Sequence, residues 1–320
     1  MSDLPRMVAV VGTNASGKSG LGVELALRYG GEVISADSRQ VYRGLDLGSG
    51  KLTPAEMRGV PHHLLDVCVP PTLFSVADFQ ELAYAAADGI LARDRLPFLV
   101  GGTGLYVAAV TEGYTLSQTT PDLAYRVVLE TFDTPALYRQ LLAACPETDI
   151  DPANRNRVMR ALEKLHDGDP GPGPRCPRYR VLKLGVTWPR QTLCARIDER
   201  LTARLAQGMV AEVEGLLQKG VPADFLRRLG LEYRYLCAYL QGEYADLPTM
   251  AAELAQAIKR FAKRQMTWFR RDPAIHWLDM TSDPVAEACR LVDAFLADRP
   301  IAQQQDTQPL AGGSLEQGPK

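Results

Sequence analysis

The spacing of hydrophobic residues along the chain changes period several times, and the changes mark out elements. Met7-Val8-Ala9-Val10-Val11 is a continuous apolar run, the pattern of a strand covered on both faces. Leu21, Leu25 and Leu27 follow on a predicted helix, and Glu32-Val33-Ile34-Ser35-Ala36-Asp37 predicts a second strand. His62 to Val67 is a candidate third strand. Ser75-Val76-Ala77-Asp78 has the form of a capping box, opening a helix with Phe79, Leu82, Ala86 and Ile90 on one stripe. Leu96 to Val100 then leads into Gly101-Gly102 as another buried strand. Strands and helices alternating at this spacing predict an α/β fold, a parallel sheet flanked by helices.

The texture changes after Gly113. Residues 114–186 carry shorter helical patterns, many charges and the loop Gly168-Asp169-Pro170-Gly171-Pro172-Gly173-Pro174, and read as an inserted, mostly helical subdomain. Arg180 to Thr187 reads as a strand returning to the core. Thr192 is placed to cap a long helix with Leu193, Ile197, Leu201 and Leu205 at four-residue steps. Further helices run to about residue 272, and Ile275-His276-Trp277-Leu278 is a late strand. The expected division is 1–113 for the first part of the core, 114–186 for the insertion and 187–300 for the second part of the core. Residues 301–320, rich in Gln, Gly and Pro, are expected to be disordered.

Composition narrows the class. The chain has 320 residues, 46% hydrophobic and 23% charged, which excludes a wholly disordered chain, a collagen and a disulfide scaffold. The net charge of −2 hides a patterned distribution. Ile258 to Arg271 holds six basic residues and no acidic one, and Asn154 to Lys183 holds eight basic and three acidic. Asp272 to Lys320 holds eight acidic and three basic, masking those blocks in the sum. Local basic patches, not the total, attract phosphate backbones. The six cysteines show no metal-ligand spacing and are expected to be reduced and mostly buried. No apolar run approaches eighteen residues and the polar N-terminus carries no secretory pattern, so a cytoplasmic protein without membrane contact is expected.

Gly12-Thr13-Asn14-Ala15-Ser16-Gly17-Lys18-Ser19 fits the phosphate-loop pattern G-x-x-x-x-G-K-S/T, between a predicted strand and a predicted helix. That context makes the sheet P-loop NTPase-like. The glycines let backbone N–H groups turn inward around a phosphate, and the helix N-terminus adds partial positive charge. Lys18 is the candidate for the terminal phosphate, and the Ser19 hydroxyl for a bound Mg2+. The loop specifies a di- or triphosphate, not ATP as such. Asp37, at the carboxyl end of the second strand, and Gly101-Gly102-Thr103-Gly104-Leu105-Tyr106, at the end of another, fall at the edge where ligands bind open parallel sheets.

With these motifs the sequence resembles the tRNA dimethylallyltransferases, also called tRNA isopentenyltransferases. The matching pieces are the phosphate loop, Asp37-Ser38-Arg39-Gln40-Val41-Tyr42, Pro61-His62-His63-Leu64-Leu65-Asp66 and Gly101-Gly102-Thr103-Gly104-Leu105-Tyr106. Arg157-Val158-Met159-Arg160-Ala161-Leu162-Glu163 and Ala262-Lys263-Arg264-Gln265-Met266-Thr267-Trp268-Phe269-Arg270 follow in family order, so the resemblance spans about residues 7 to 280. Three features depart from it, one being an insert that is compact for the family. Thr13-Asn14 stands where the family usually has Pro-Thr, and Leu229-Gly230-Leu231-Glu232-Tyr233-Arg234 replaces the commoner Gly-Tyr-Lys-Glu form.

The resemblance implies transfer of a dimethylallyl group from dimethylallyl diphosphate to N6 of the adenine 3′ to a tRNA anticodon; Mg2+ is the expected cofactor, and a monomer is expected although the sequence does not fix the oligomeric state. It implies that Gly12 to Ser19 hold the diphosphate and that Lys18 and Arg200 bear on its departing charge. Fixed positive charge there stabilises the transition state more than the ground state. Asp37 is the candidate acceptor of the N6 proton, with Thr103 beside it. A base stacked in the anticodon stem-loop must first be flipped out. Asp37, Ser38, Arg39, Gln40 and Thr103 are then expected near the flipped base. Arg126, Asn156, Arg157 and Arg160 are expected on the anticodon arm, as are Lys263, Arg264 and Gln265. Trp268 and Phe269 are expected in the core, and His62 and His63 in structural hydrogen bonds. Three rival readings stay open on the residues alone: a small-molecule phosphate-loop kinase, prenyl transfer to a free adenine nucleotide, and a non-catalytic RNA-binding protein.

Overall fold

A computed structural model describes residues 4–116, 122–169 and 173–301. The tail expected over 301–320 lies, but for Ile301, outside the described residues, as does the centre of the Gly168–Pro174 loop. The core is one parallel sheet of β1 (Arg6–Val11), β2 (Glu32–Ser35), β3 (His62–His63), β4 (Pro97–Gly101), β5 (Arg180–Thr187) and β6 (Ile275–Asp279), in spatial order β3-β2-β4-β1-β5-β6. The alternation of a strand splits its continuous apolar run between two faces. Met7, Ala9 and Val11 enter the core on one side, with α3 (Val76–Leu91) and α4 (Gly104–Thr111). Val8 and Val10 enter the core on the other, with α1 (Lys18–Arg28) and α13 (Pro284–Leu296).

Local chemistry fixes where these elements start and stop. Gly17, at φ 88°, is the left-handed residue that turns the phosphate loop into α1. The Ser75–Asp78 capping box is present at the start of α3. The inward stripe of α3 keeps Phe79 and Ile90 as expected, with Ala86 packed at its side, but not Leu82. Phe79, Ala83, Ala87 and Ile90 are fully buried, whereas Leu82 is 39% exposed, because the sheet lies one residue-step around the helix from where Leu82 points. Leu27 on α1 also faces out. The third strand is two residues long, since Leu64 and Asp66 take left-handed conformations (φ 63° and 58°) that end sheet pairing. All six cysteines are free, but only Cys68 and Cys237 are buried, and Cys176 is exposed.

Between α4 and β5 the chain forms α5 (Leu123–Glu130), α6 (Thr134–Ala144) and α7 (Arg155–His166). These three helices have their own apolar cluster of Leu129, Leu137, Leu141, Val158, Met159 and Leu162. The chain segments that join this unit to the core run side by side, with Cys176 N–H donating to Gly113 O at 2.7 Å. After β5 come α8 (Arg190–Ala206), α9 (Met209–Gln218), α10 (Ala223–Leu229), α11 (Leu231–Leu240) and α12 (Leu247–Phe269), with α2 (Pro54–Met57) in the earlier loop. Helix α8 starts two residues before Thr192, with Pro189 at its N-cap, so Thr192 lies within the first turn and not at the cap. Met250, Leu254, Ile258, Ala262, Gln265 and Phe269 form the buried stripe of α12. Phe269 is core and Trp268 packs beside it, as expected. Among the described residues no helix is long and apolar enough to cross a membrane.

Candidate active site

Strands β1 and β4 are neighbours, so the phosphate loop and the Gly101–Gly104 turn leave the sheet side by side. The turn carries glycine where other segments close on it. A Cβ on Gly101 would lie 2.1 Å from Ala36 O, and one on Gly102 would lie 2.8 Å from Gln265 Nε2. Gln265 links the two loops: its Oε1 accepts from Asn14 N–H at 3.0 Å and its Nε2 donates to Gly102 O at 2.9 Å. Gln265 is therefore in the interior of the site, while Lys263 and Arg264, its sequence neighbours, are exposed on the outer face of α12. The expected grouping of the three on one tRNA-facing surface is corrected by the helix period, which turns adjacent residues to different sides.

The loop is braced from outside as well. Trp188 Nε1 donates to Ser16 O at 2.8 Å, and Arg196 Nε donates to Ala15 O at 3.0 Å with its guanidinium over the Trp188 ring. Lys18 is buried and donates to Thr13 O at 3.2 Å. Burial pulls its pKa down to about 8, partly opposed by the Asp37 carboxylate and assisted by Arg200, Arg39 and Arg204. The Ser16 hydroxyl is buried with no hydrogen-bond partner among the described residues.

Asp37 lies just past β2 and is 6% exposed. Its Oδ1 accepts from Arg39 N–H at 3.0 Å, with Arg39 Nε at 3.5 Å. Burial alone would raise its carboxyl pKa, but the Arg39 charge and N–H, with Lys18, outweigh burial and hold it below the usual carboxylate value. Arg39 is itself buried, and its Nη1 donates to Glu232 Oε2 at 2.9 Å. The structure thus places Arg39 in an interior ion-pair chain, Asp37–Arg39–Glu232, which corrects the expectation of an arginine offered to tRNA. Gln40 is also occupied, with Oε1 accepting from Ser35 Oγ at 2.8 Å and Nε2 donating to Gly50 O at 3.2 Å. Thr103 Oγ1 accepts from Ser38 N–H at 3.1 Å, which ties the Gly-Gly-Thr turn to the residue after Asp37.

Arg200 is on the face of α8 turned toward the phosphate loop, and its Nη2 lies 3.5 Å from Gly50 O. Burial lowers its pKa. Ser19 is half-buried in the first turn of α1. On the insertion, Asn156 and Arg157 are exposed, but Arg126 and Arg160 both reach the buried Glu163, at 3.4 and 3.1 Å. His62 Nδ1 lies 2.8 Å from Val60 O and His63 Nε2 2.7 Å from Glu32 Oε2, the structural roles expected of them.

Two participants were missed in the sequence, and the position of a third, Gln265, was misread. Arg204 lies on the same face of α8 as Arg200, a spacing of four that was available as a signal. Gln265 is the one polar residue on the apolar stripe of α12, also a readable signal. Glu232 lies 193 positions from Arg39, and no local pattern announces that pairing.

This fold and this site define a phosphate-loop transferase: an anion cradle and a buried carboxylate at the carboxyl edge of a parallel sheet. The chain belongs to the IPP transferase family, whose model matches residues 40–272, and the isopentenyl transferase model matches residues 5–68. It is 43% identical over 288 residues to tRNA dimethylallyltransferase 1 of Geotalea daltonii, covering 88% of this chain and 93% of that one. It is 43% identical to the tRNA dimethylallyltransferase of Thermomicrobium roseum, covering 97% of each chain. The crystal structure of the full-length tRNA isopentenylpyrophosphate transferase from Bacillus halodurans superposes with a TM-score of 0.70 at 39% identity, covering 92% of this chain and 96% of that one.

Proposed function

We propose that this protein transfers a dimethylallyl group from dimethylallyl diphosphate to N6 of the adenine 3′-adjacent to the anticodon of tRNA. The observation that carries the reading is the buried Asp37 carboxylate next to the phosphate loop, held ionised by Arg39 and Lys18. The N6 lone pair of adenine is delocalised into the ring. It attacks C1 of the dimethylallyl group as the C1–O bond breaks, the bonding pair leaves with the diphosphate, and the N6 proton passes to Asp37. Lys18 and Arg200 stabilise the charge that grows on the leaving group. Thr103, already bonded to Ser38 N–H, fixes the turn that faces the incoming base.

Mg2+ belongs to this reading. The chemistry of the donors fits it: Ser19 offers a hard hydroxyl oxygen at the end of the loop, and the diphosphate offers others. Among the described residues no group of three His, Cys, Asp or Glu side chains could hold a metal, so the ion would come largely ligated by substrate. When bound, it would neutralise phosphate charge.

The test is incubation with labelled dimethylallyl diphosphate and Mg2+, and either total tRNA or AMP, with ATP alone as a separate arm. Label in tRNA is the expected result. Label in AMP, or ATP turnover without label transfer, would overturn it. Salt dependence gives a second check. Arg157 is exposed, while Arg160 is shared with Glu163, so alanine at both should lower the salt slope of tRNA binding by about 0.7–0.9 per lost phosphate contact. The rate at saturating tRNA should be unchanged, since neither group is near the breaking bond. Affinities measured at several salt concentrations decide this, and an unchanged slope would move the tRNA path off this face.

A further inference from the structure

We infer that Arg204 is a second arginine for the leaving group, gripping the phosphoryl group that the loop does not enclose and so selecting a diphosphate over a single phosphate. The inference rests on the prenyl-transfer reading for the alkyl group, but not for the anion.

Arg200 and Arg204 are one turn apart on α8 and meet at Gly50. A Cβ built on Gly50 would lie 1.6 Å from Arg204 Nη2 and 2.2 Å from Arg200 Nη2, so the two guanidinium groups are close neighbours in the space left by the missing side chain. Gly50 also has φ 68°, so its backbone favours glycine independently. The Gly50 carbonyl accepts from Arg200 Nη2 at 3.5 Å and from Gln40 Nε2 at 3.2 Å.

Two guanidinium groups placed together repel, and a protein usually sets a carboxylate between them. Here the two buried carboxylates nearby are already engaged by Arg39, Glu232 at 2.9 Å and Asp37 at 3.5 Å, and a third, Glu56, is exposed and bonded to Thr53. Among the described residues neither Arg200 nor Arg204 has a carboxylate oxygen within 4.0 Å. Lys18, Arg39, Arg200 and Arg204 stand against Asp37, Glu232 and, farther out, the exposed Glu56, so positive charge remains in excess. Burial and then Arg200 pull the Arg204 pKa down to about 10, the sign of a cation held where it is uncomfortable without an anion.

Position supports the same conclusion. Arg200, Arg204 and Glu232 share a narrow crevice with Asn14 and Ala15 of the phosphate loop, walled otherwise by the apolar Ile197, Leu201, Met209 and Ile258. On this reading the loop N–H groups and Lys18 would enclose one phosphoryl group, and the arginine pair, near enough to press on Lys18, would meet the second. The unpartnered Ser16 hydroxyl inside the loop is a separate indication that an anion completes this region.

The experiment measures binding of inorganic diphosphate and of orthophosphate to the full chain by calorimetry with Mg2+, for the wild type, Arg204→Met and Arg204→Lys. Arg204→Met should weaken diphosphate about 10–100-fold, the size of a lost charge-assisted hydrogen bond, and leave orthophosphate within about twofold. Arg204→Lys keeps the charge but loses the planar fork, and should fall between. In turnover, Arg204→Met should raise KM for dimethylallyl diphosphate and lower kcat, with KM for tRNA unchanged. Unchanged diphosphate affinity in both variants, or equal losses for the two anions, would overturn the assignment and make Arg204 a structural counter-charge to Glu232. A wild type that binds diphosphate in this pattern yet labels no tRNA would sink the prenyl-transfer reading and leave Arg204 assigned.

Discussion

Asp37→Asn should lower single-turnover prenyl transfer by about 10²–10⁴-fold while tRNA and diphosphate still bind. The amide has the shape of the carboxylate and can still accept the Arg39 N–H bond, but it cannot take the N6 proton. The carboxyl lies below its usual pKa, so it is ionised throughout the neutral range and its own titration should not shape the pH profile there. A carboxylate so strongly paired is a weak base in the ground state. It becomes effective as N6 gains positive charge and its proton becomes acidic, so the transfer belongs late in bond formation. The substitution has a second consequence, because Asp37 raises the Lys18 pKa. Rates are therefore compared down the acid side, where both proteins reach a plateau once Lys18 is charged and the difference left isolates the loss of the proton acceptor. Arg39 retains Glu232 as a partner, so the variant should fold. A wild-type single-turnover rate would remove Asp37 from the chemistry.

How much of this was legible in the sequence follows from the range of the interactions involved. The buried strands, the phosphate loop and the capping box of α3 are local patterns, and each is where the sequence put it. The inward face of α3 was misjudged at Leu82 because that residue is apolar while the stripe that packs contains Ala83 and Ala87, whose small side chains let the helix approach the sheet. The third strand was read too long because left-handed backbone at Leu64 and Asp66 has no glycine to announce it. At the site, charge type alone was misleading. Arg39, counted with residues for tRNA, is consumed by two buried carboxylates, and Arg126 and Arg160 share Glu163. A basic residue in a list carries no information about its partner when that partner is distant in the chain. Gln265 shows the converse. Its inward position was implied by the spacing of Met250, Leu254, Ile258, Ala262 and Phe269, and was obscured by reading it with its basic neighbours.

Lys18→Met should lower kcat/KM for dimethylallyl diphosphate by about 10²–10³-fold, since a fixed charge at the departing oxygen acts most in the transition state. Lys18 also sets a pH dependence that can be tested without turnover. In the free protein, burial and the surrounding arginines bring its pKa to about 8. Below that value the ammonium is charged and ready for an anion; above it, binding must first recover a proton. A bound diphosphate holds that proton, so Lys18 has a higher pKa in the complex than in the free protein. Affinity for an alkyl diphosphate should therefore be flat on the acid side and fall as pH rises through about 8, approaching tenfold per pH unit. Lys18→Arg, with a guanidinium that stays charged, should flatten the fall even if it fits the loop less well. Asp37→Asn should move the fall to lower pH, because it removes the carboxylate that raises Lys18. Calorimetric titrations between pH 6 and 9.5 in buffers of different ionisation enthalpy read both the affinity and the proton uptake. A profile that stays level for the wild type, with no proton taken up at high pH, would show that Lys18 keeps its charge without the anion and that the arginines around it do not press on it.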